Sequence, residues 1–387
     1  MKIRRIINNE HAVSPIVATL ILIVVAIAGA ATVGTILGSF SGDVSDSTSS
    51  EDAARGASTQ VLVAGSTTVG PVLDLMKDDF EKSSSGIALN VQGGGCGAGI
   101  AGVGMGVIDI AAISRELTPQ EKTKYPDLET AWIGSSAVVM IGGSEITTWD
   151  GTTIGFTSPS TASSTTRMTP EQIKSIYSVS GGNIDDPAKL PDSSVAGQKV
   201  LRHLITKPNI KDGTGGSVAD FSDLATNPIT VYKRAESRSG TEYVFSELIS
   251  GDGDFISTKG AVSVNGNAGM IEAIMNDPRG VGFVDYRYAL EASKTGKINI
   301  LAIDDGTCEL RQKCVDDADH VKSHIKRALT TGNDDYTGYP AGLIRNMYLV
   351  TDGWPSSLEG RFINYAQQPG SMDKFDDAGY FSALGVA

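Results

Sequence analysis

Three cysteines in 387 residues are too few for a disulfide-stapled scaffold. Positive charge is also scarce. Thirty-two Lys and Arg stand against 45 Asp and Glu, for a net charge of −13. That balance excludes general nucleic-acid binding, because phosphate backbones are held by basic side chains. No Walker A sequence occurs, and His320 and His324 lack the Glu that would make an HExxH metal site, so they read as a solvated surface pair. No nucleophile stands at a suggestive spacing from a His and an acid. Neither an enzyme nor a cofactor is expected. What is plentiful is glycine, 45 residues, together with 40% hydrophobic residues, enough to build cores over two or three compact units.

Charge is missing altogether from Ala12 to Gly42. Lys2, Arg4, Arg5 and Glu10 precede this stretch and contribute +2, which leaves −15 on the rest of the chain. Within it, Ile16–Leu37 is 22 residues of apolar and small side chains. As a helix it would be roughly 33 Å long, enough to cross a bilayer core of about 30 Å. The preceding bases place the N-terminus in the cytoplasm and the C-terminal domain outside, giving a single-pass protein of the cell membrane. A cleaved secretory signal is the alternative, with Ala26–Ala28 and Ala28–Ala30 as small-residue cleavage patterns. A GxxxG pattern, Gly34–Gly38, would allow close helix approach. The segment His11–Val17 leading into this helix resembles the N-terminus of archaeal pilin-type proteins. That resemblance implies a basic leader (1–11) ahead of a hydrophobic membrane helix (12–37).

Residues 38–58 are rich in Ser, Gly and Asp and are expected to form a flexible linker. From Thr59 onward, short apolar runs alternate with helical patterns, which predicts an α/β fold with a largely parallel sheet. Expected elements include strands at Val61–Ala64, Ile87–Gln92, Ile108–Ile113 and Ile229–Tyr232 and a helix at Pro71–Lys82. Capping boxes are predicted at Thr118–Glu121, Thr169–Gln172 and Ser239–Glu242. Residues 181–228 look like a loop-rich insertion. Cys308 and Cys314 are expected to close a small disulfide loop, with metal binding as the alternative, leaving Cys96 as the odd thiol.

Three loops carry candidate binding chemistry. Gly65-Ser66-Thr67-Thr68-Val69-Gly70-Pro71 and Arg234-Ala235-Glu236-Ser237-Arg238-Ser239-Gly240-Thr241 each lie between a strand and a helix start. Free backbone N–H groups and the positive helix end favour an anion there, and the hydroxyls supply further donors. Ser239 and Thr67 acting only as helix caps is the competing explanation. The third loop, Gly93–Gly102, contains GxGxxG around Cys96 and Gly97. An exported domain and the lack of an acidic residue at the expected distance argue against a dinucleotide. A backbone nest for a smaller anion needs the same glycines.

Taken in order, VAGSTTVGPVLDLMKDDF, NVQGGGCGAGI, VIDIAAISRELTPQE, MTPEQIKSIYS, RAESRSGTEYVF, MIEAIMNDPRGVGFVDY and YPAGLIRNMYLVTDG resemble the substrate-binding proteins of phosphate ABC importers, a branch of the type II periplasmic-binding-protein fold. The resemblance implies a two-lobe domain over 59–387, with lobe one at 59–142 and 285–387 and lobe two at 143–284. It implies inorganic phosphate as ligand and an ABC transporter permease as partner. By the same resemblance Ser66, Thr67, Thr68, Ser114 and Arg115 serve from the first lobe, and Ser239, Gly240 and Thr241 from the second. Arg234 is the implied charge partner, with Arg238 as rival because one extra residue separates Arg234 from Ser239. Cys96 and Ala98 stand where family members often carry Ser and Thr. Some relatives have Asp where Arg115 stands, and a carboxylate there would accept a hydrogen bond from protonated phosphate. Glu236 and Asp109 are possible replacements, and a ligand-free acid is the alternative for each. A filament subunit displaying the domain, or a receptor for sulfate, molybdate or tungstate, are the competing functions.

Overall fold

The run Thr59–Gly65 buries Val61 and Val63 with less buried neighbours between them, a period-two pattern that a strand satisfies, and it forms β1. In α1 (Gly70–Ser83), Val72, Leu73, Met76 and Phe80 recur at helical spacing on one buried face, and Pro71 fits the first turn, where no N–H is needed. The computed structural model describes residues 59–84, 86–146, 168–191, 200–201, 204, 210–211, 217–218, 223–236, 238–301, 303 and 340–382. The expected leader, membrane helix and linker, the pair Cys308 and Cys314, the pair His320 and His324, and much of the 181–228 insertion lie outside these residues. Among the described residues, no helix is long and apolar enough to cross a membrane.

The order continues with β2 (Ile87–Gln92), α2 (Cys96–Gly104), β3 (Ile110–Ile113), α3 (Pro119–Lys124), β4 (Leu128–Gly143), α4 (Pro170–Tyr177), β5 (Asn183–Ile184), β6 (Ile210–Lys211), β7 (Ser217–Val218) and β8 (Ile229–Arg234). Then come α5 (Gly240–Ser250), β9 (Val262–Val264), α6 (Gly266–Met275), β10 (Gly280–Asp285), α7 (Tyr286–Ser293) and β11 (Ile298–Leu301). The chain closes with β12 (Ile344–Asp352), α8 (Ser357–Ala366), α9 (Met372–Ala378) and β13 (Phe381–Ser382). Eleven described strands share one sheet, ordered β2-β1-β3-β12-β4-β10-β8-β5, with β11 and β13 also on β4 and β9 on β8. The expected α/β character holds, but the largely parallel sheet does not. Four pairings in this sheet are parallel and six antiparallel, because the long strands β4 and β12 run against their neighbours.

The capping boxes at Thr118 and Thr169 form as expected, each Thr accepting from the N–H three residues on while that Glu or Gln returns the bond. At Ser239 only half of the box forms. The Ser239 side chain accepts from the Glu242 N–H, but the Glu242 carboxylate turns to the Arg234 N–H at 2.9 Å instead.

Apolar side chains collect in separate clusters toward the two ends of β4. Ile133 packs with Val61, Val63, Phe80, Leu349 and Phe362, whereas Ala137–Ile141 packs with Phe245, Phe283, Ala289 and Leu301. In the second cluster Phe245 and Phe283 stack with ring centroids 4.7 Å apart. Between the clusters the register pairs Ser135 with Asn346 and Ser136 with Arg345, so a polar seam crosses two adjacent strands. The Ser135 hydroxyl donates to Asn346 Oδ1 at 2.8 Å.

The GxGxxG segment has a packing role. A Cβ on Gly99 would lie 2.7 Å from the Ala64 carbonyl oxygen, so α2 rests directly on the end of β1. Gly99→Ala is expected to destabilise the protein by about 1–3 kcal/mol through overpacking against backbone. Denaturant unfolding with an unchanged midpoint would remove that role.

Candidate functional site

The three glycine- and hydroxyl-bearing loops converge. The Ser66 hydroxyl donates to Ser114 Oγ at 2.9 Å and itself accepts from the Thr68 and Val69 N–H groups. The N-cap position of α1 is Val69, which makes no side-chain cap, so Thr67 is not a helix cap. Cys96 begins α2, and its Sγ receives the Ser114 N–H at 3.4 Å. Gly240, first residue of α5, comes down onto the same spot. A Cβ there would lie 2.6 Å from Cys96 Sγ and 2.8 Å from Ser114 Oγ, so only glycine permits this approach. Gly97 stands beside Cys96 and lines a cavity of about 270 Å³ with Glu121, Lys124 and Arg238.

The three arginines singled out in the sequence lie near this cluster and are used differently. Arg115 is buried, forks onto both oxygens of Glu121 at 2.7 and 2.8 Å, and lies over the Tyr243 ring. Burial, the largest single influence, would lower its pKa, but the Glu121 hydrogen bond together with the charge interactions with Cys96, Glu121 and Tyr243 raises it. Burial likewise pushes Glu121 up, and the Arg115 hydrogen bond and charge with the Thr118 hydrogen bonds together carry it below its usual value. Arg238 has a left-handed backbone, φ 52°, and a partly exposed guanidinium 3.8 Å from Glu121. Arg234, at the end of β8, is 3% exposed; its Nη2 donates to Thr67 Oγ1 at 3.2 Å and to Glu236 Oε1 at 3.1 Å, and its Nη1 to Asn267 at 3.2 Å. Its buried Nε has no partner. Burial lowers the Arg234 pKa, with Glu236 opposing.

Four residues that the sequence did not single out complete the arrangement. Arg345 on β12 donates to Thr68 Oγ1 and Asp285 Oδ2 at 2.7 Å, to Thr241 Oγ1 at 2.9 Å, and to Ser136 Oγ at 3.1 Å. Ser136 in turn donates to Asp285 Oδ2 at 2.7 Å. The Arg345 and Asp285 side chains are 1% and 0% exposed. Asn267, in the first turn of α6, donates to Thr68 Oγ1 at 3.1 Å and accepts from the Asp285 N–H at 3.2 Å. These contacts join positions 18 to 277 residues apart, and neither a motif nor a periodicity marks them in the chain.

The PBP superfamily domain matches residues 49–368. The chain belongs to this superfamily. None of the curated proteins matches it. Among solved structures, a putative phosphate ABC transporter substrate-binding protein with bound phosphate from Clostridium perfringens is similar at 17% identity. That match covers 84% of this chain and all of the other, with a TM-score of 0.54. An ABC-type phosphate transport receptor from Vibrio cholerae is 19% identical, covering 83% and 99%, with a TM-score of 0.47. At these identities the first likeness concerns the fold.

Within this superfamily member, Ser66, Thr67, Thr68, Cys96, Ser114, Arg234, Gly240 and Thr241 form one connected region, and Ser239 caps α5 beside it. Arg115 and Arg238 share Glu121 with each other, and no hydrogen bond from either side chain reaches the cluster's hydroxyls. Asp109 stands apart: it is exposed and accepts from the Leu62 N–H at 2.7 Å. A larger cavity of about 930 Å³, lined by Pro71, Leu75, Ile271, Met275 and Tyr288 among others, does not contain the hydroxyl cluster. Hydroxyls, helix-start N–H groups and a buried guanidinium converge in the cluster and not in that cavity, so the cluster is the stronger candidate for binding a polar ligand. Among the described residues no group of three or more His, Cys, Asp or Glu could hold a metal ion.

Two outcomes are expected. Asp285→Ala leaves the buried Arg345 unpaired and is expected to lower stability by about 3–5 kcal/mol; adding Arg345→Met recovers part of it. Equal stability of the single and double variants in denaturant unfolding contradicts this. Burial raises the Glu242 carboxyl from the usual 4.5 to about 7. The folded state therefore keeps a proton that the unfolded chain releases between these values, and stability falls as pH rises through that window by about 3 kcal/mol. Glu242→Gln is expected to abolish this component; unfolding curves at pH 4.5 and 8 that shift equally in both proteins would refute it.

Proposed function

We propose that the protein captures inorganic phosphate outside the cell and presents it to an ABC transporter permease, tethered to the membrane by its N-terminal helix. The observation that carries this is Arg234, a buried guanidinium that touches the Thr67 hydroxyl and keeps an unpartnered Nε beside the convergent loops. A buried donor without an acceptor is costly unless something completes it. An oxyanion would do so, with Ser66, Thr67, Thr68, Ser114, Ser239, Gly240 and Thr241 as further donors and α5 directing its N-terminus inward. We assign Arg115 to Glu121 and leave Arg238 at the rim. Binding moves no covalent bond.

In this reading the two lobes meet at the polar seam. Lobe one would comprise 59–135 and 346–382, and lobe two 136–301, a division close to that of the apolar clusters, with Phe381 of lobe one packing in the cluster of lobe two, and different from the one expected from sequence. Gly240 resting on Ser114 and Cys96 would then be the closed contact.

Calorimetric titration of the full-length protein with phosphate tests this. Phosphate is expected to bind. Thr67→Ala is expected to weaken it by about 1–3 kcal/mol, the effect of losing one donor to a charged partner. Gly240→Ala is expected to weaken it further by obstructing closure. Absence of heat with phosphate, or tighter binding of sulfate, molybdate or tungstate, overturns the ligand assignment.

A further inference from the structure

Most large apolar side chains are inside, so the few left in water stand out. Among the described residues these are Leu75 and Val262, at 42% and 41% exposed, and Met105, Val107 and Trp354, at 64%, 67% and 88%. Scattered singly, such residues are ordinary. The three most exposed, however, share one end of the sheet.

Strand direction puts them there. β1 and β3 are parallel, with Val63 opposite Ile110, and the Asp109 N–H donates to the Leu62 carbonyl at 3.1 Å. Met105 and Val107 belong to the turn that leads into β3, where the Val107 N–H donates to the Gly102 carbonyl at 2.9 Å. β12 runs antiparallel to β3, with Val350 opposite Ala111, so its last residues return to the same end. There the Gly353 N–H donates to the Asp127 carbonyl at 2.8 Å, and Trp354 follows. The two turns share a neighbour, since a Cβ on Gly104 would lie 2.4 Å from the Tyr125 ring, two residues before Asp127. The ligand loops leave from the opposite end of these strands, after Gly65 and Ile113.

Thr59, the first residue of β1, stands at the end that carries the patch. Residues 1–58 therefore join the domain beside it, and they include the 22-residue apolar segment Ile16–Leu37. With that segment as the tether, the linker 38–58 spans about 25 Å as a coil, which keeps this end of the domain close to the bilayer. A weak surface affinity then acts at high local concentration. Tryptophan suits the membrane–water interface, because its ring is apolar and its N–H polar. The surrounding charge selects the lipid. Asp109, Asp127, Glu129 and Asp352 are exposed here against Lys122 and Lys124, so neutral headgroups are accepted and anionic ones repelled.

Resting on the tether in the reading above, we propose that this end of the domain docks on the surface of a neutral bilayer, with Trp354, Met105 and Val107 entering the interface. Docked in this way, the strands hold the ligand loops away from the membrane, toward the outer medium, a pose for capture. Release within the reach of the linker then frees the domain for delivery.

The test places the full-length protein in phosphatidylcholine vesicles whose acyl chains are either plain or brominated near the headgroup, since bromine quenches tryptophan at that depth. Trp132 and Trp149 stay constant, so the Trp354 signal is the difference between the unmodified protein and Trp354→Phe. Brominated lipid is expected to remove most of this signal. Met105→Asp combined with Val107→Asp, two surface changes, is expected to restore it. Vesicle-bound protein whose Trp354 emits equally in both lipids overturns the docking and leaves the tether standing. Shielding of Trp354 from acrylamide without bromine quenching also overturns it, with a second copy or residues 38–58 as the cover. Quenching that persists in the Asp pair overturns the role of the patch. Protein that does not float with the vesicles overturns both docking and tether. Phosphate binding is read separately, so failure of the ligand assignment leaves these outcomes unchanged.

Discussion

The pair Arg345–Asp285 is the interaction on which the centre of this protein depends. A guanidinium and a carboxylate, both essentially out of water, sit in the seam where β4 and β12 leave one apolar cluster and join the other. Isolated, either charge would be prohibitively expensive to bury; together, with Ser136, Thr68 and Thr241 completing the guanidinium's bonds, they are tolerable. The consequence is geometric. Because Arg345 forks onto Thr68 from the β1–α1 loop and Thr241 from α5, the position of both loops is read from a single strand residue. Hydroxyl direction, loop spacing and strand register are therefore one problem rather than three.

Much of the frame was legible in the sequence because its signals are local. Strand Ile87–Gln92 was expected with the bounds it has, and α1 to within a residue at each end, since alternation, helical spacing and a proline at the first turn act over a few residues. Two of three capping boxes formed for the same reason. The third went half wrong because Glu242 had a better acceptor task at the Arg234 backbone, a partner eight residues away that no capping rule considers. Sheet direction is not legible locally: strand and helix alternation predicts parallel pairing, but the long return strands β4 and β12 run antiparallel to their neighbours.

The candidate site was legible loop by loop and illegible in its wiring. Ser66, Ser114, Gly240 and Thr241 announced themselves through short motifs. Arg345, Asp285, Ser136 and Asn267 did not, since an arginine in a strand or an asparagine after a glycine is commonplace, and only the fold reveals that their partners stand up to 277 residues away. Arg115 and Glu121 illustrate the converse: a side chain in a promising motif turned out to be held by a carboxylate six residues on.

Gly240 lying against Cys96 has a practical side. The only cysteine among the described residues is 1% exposed, with α5 drawn down over it through a residue that lacks a side chain. A thiol so covered reacts with a reagent only during excursions that lift α5 away, so its modification rate is a clock for local opening, set by the free energy of that excursion rather than by the chemistry of sulfur. The molecule thus carries its own internal probe of how often its cover comes off.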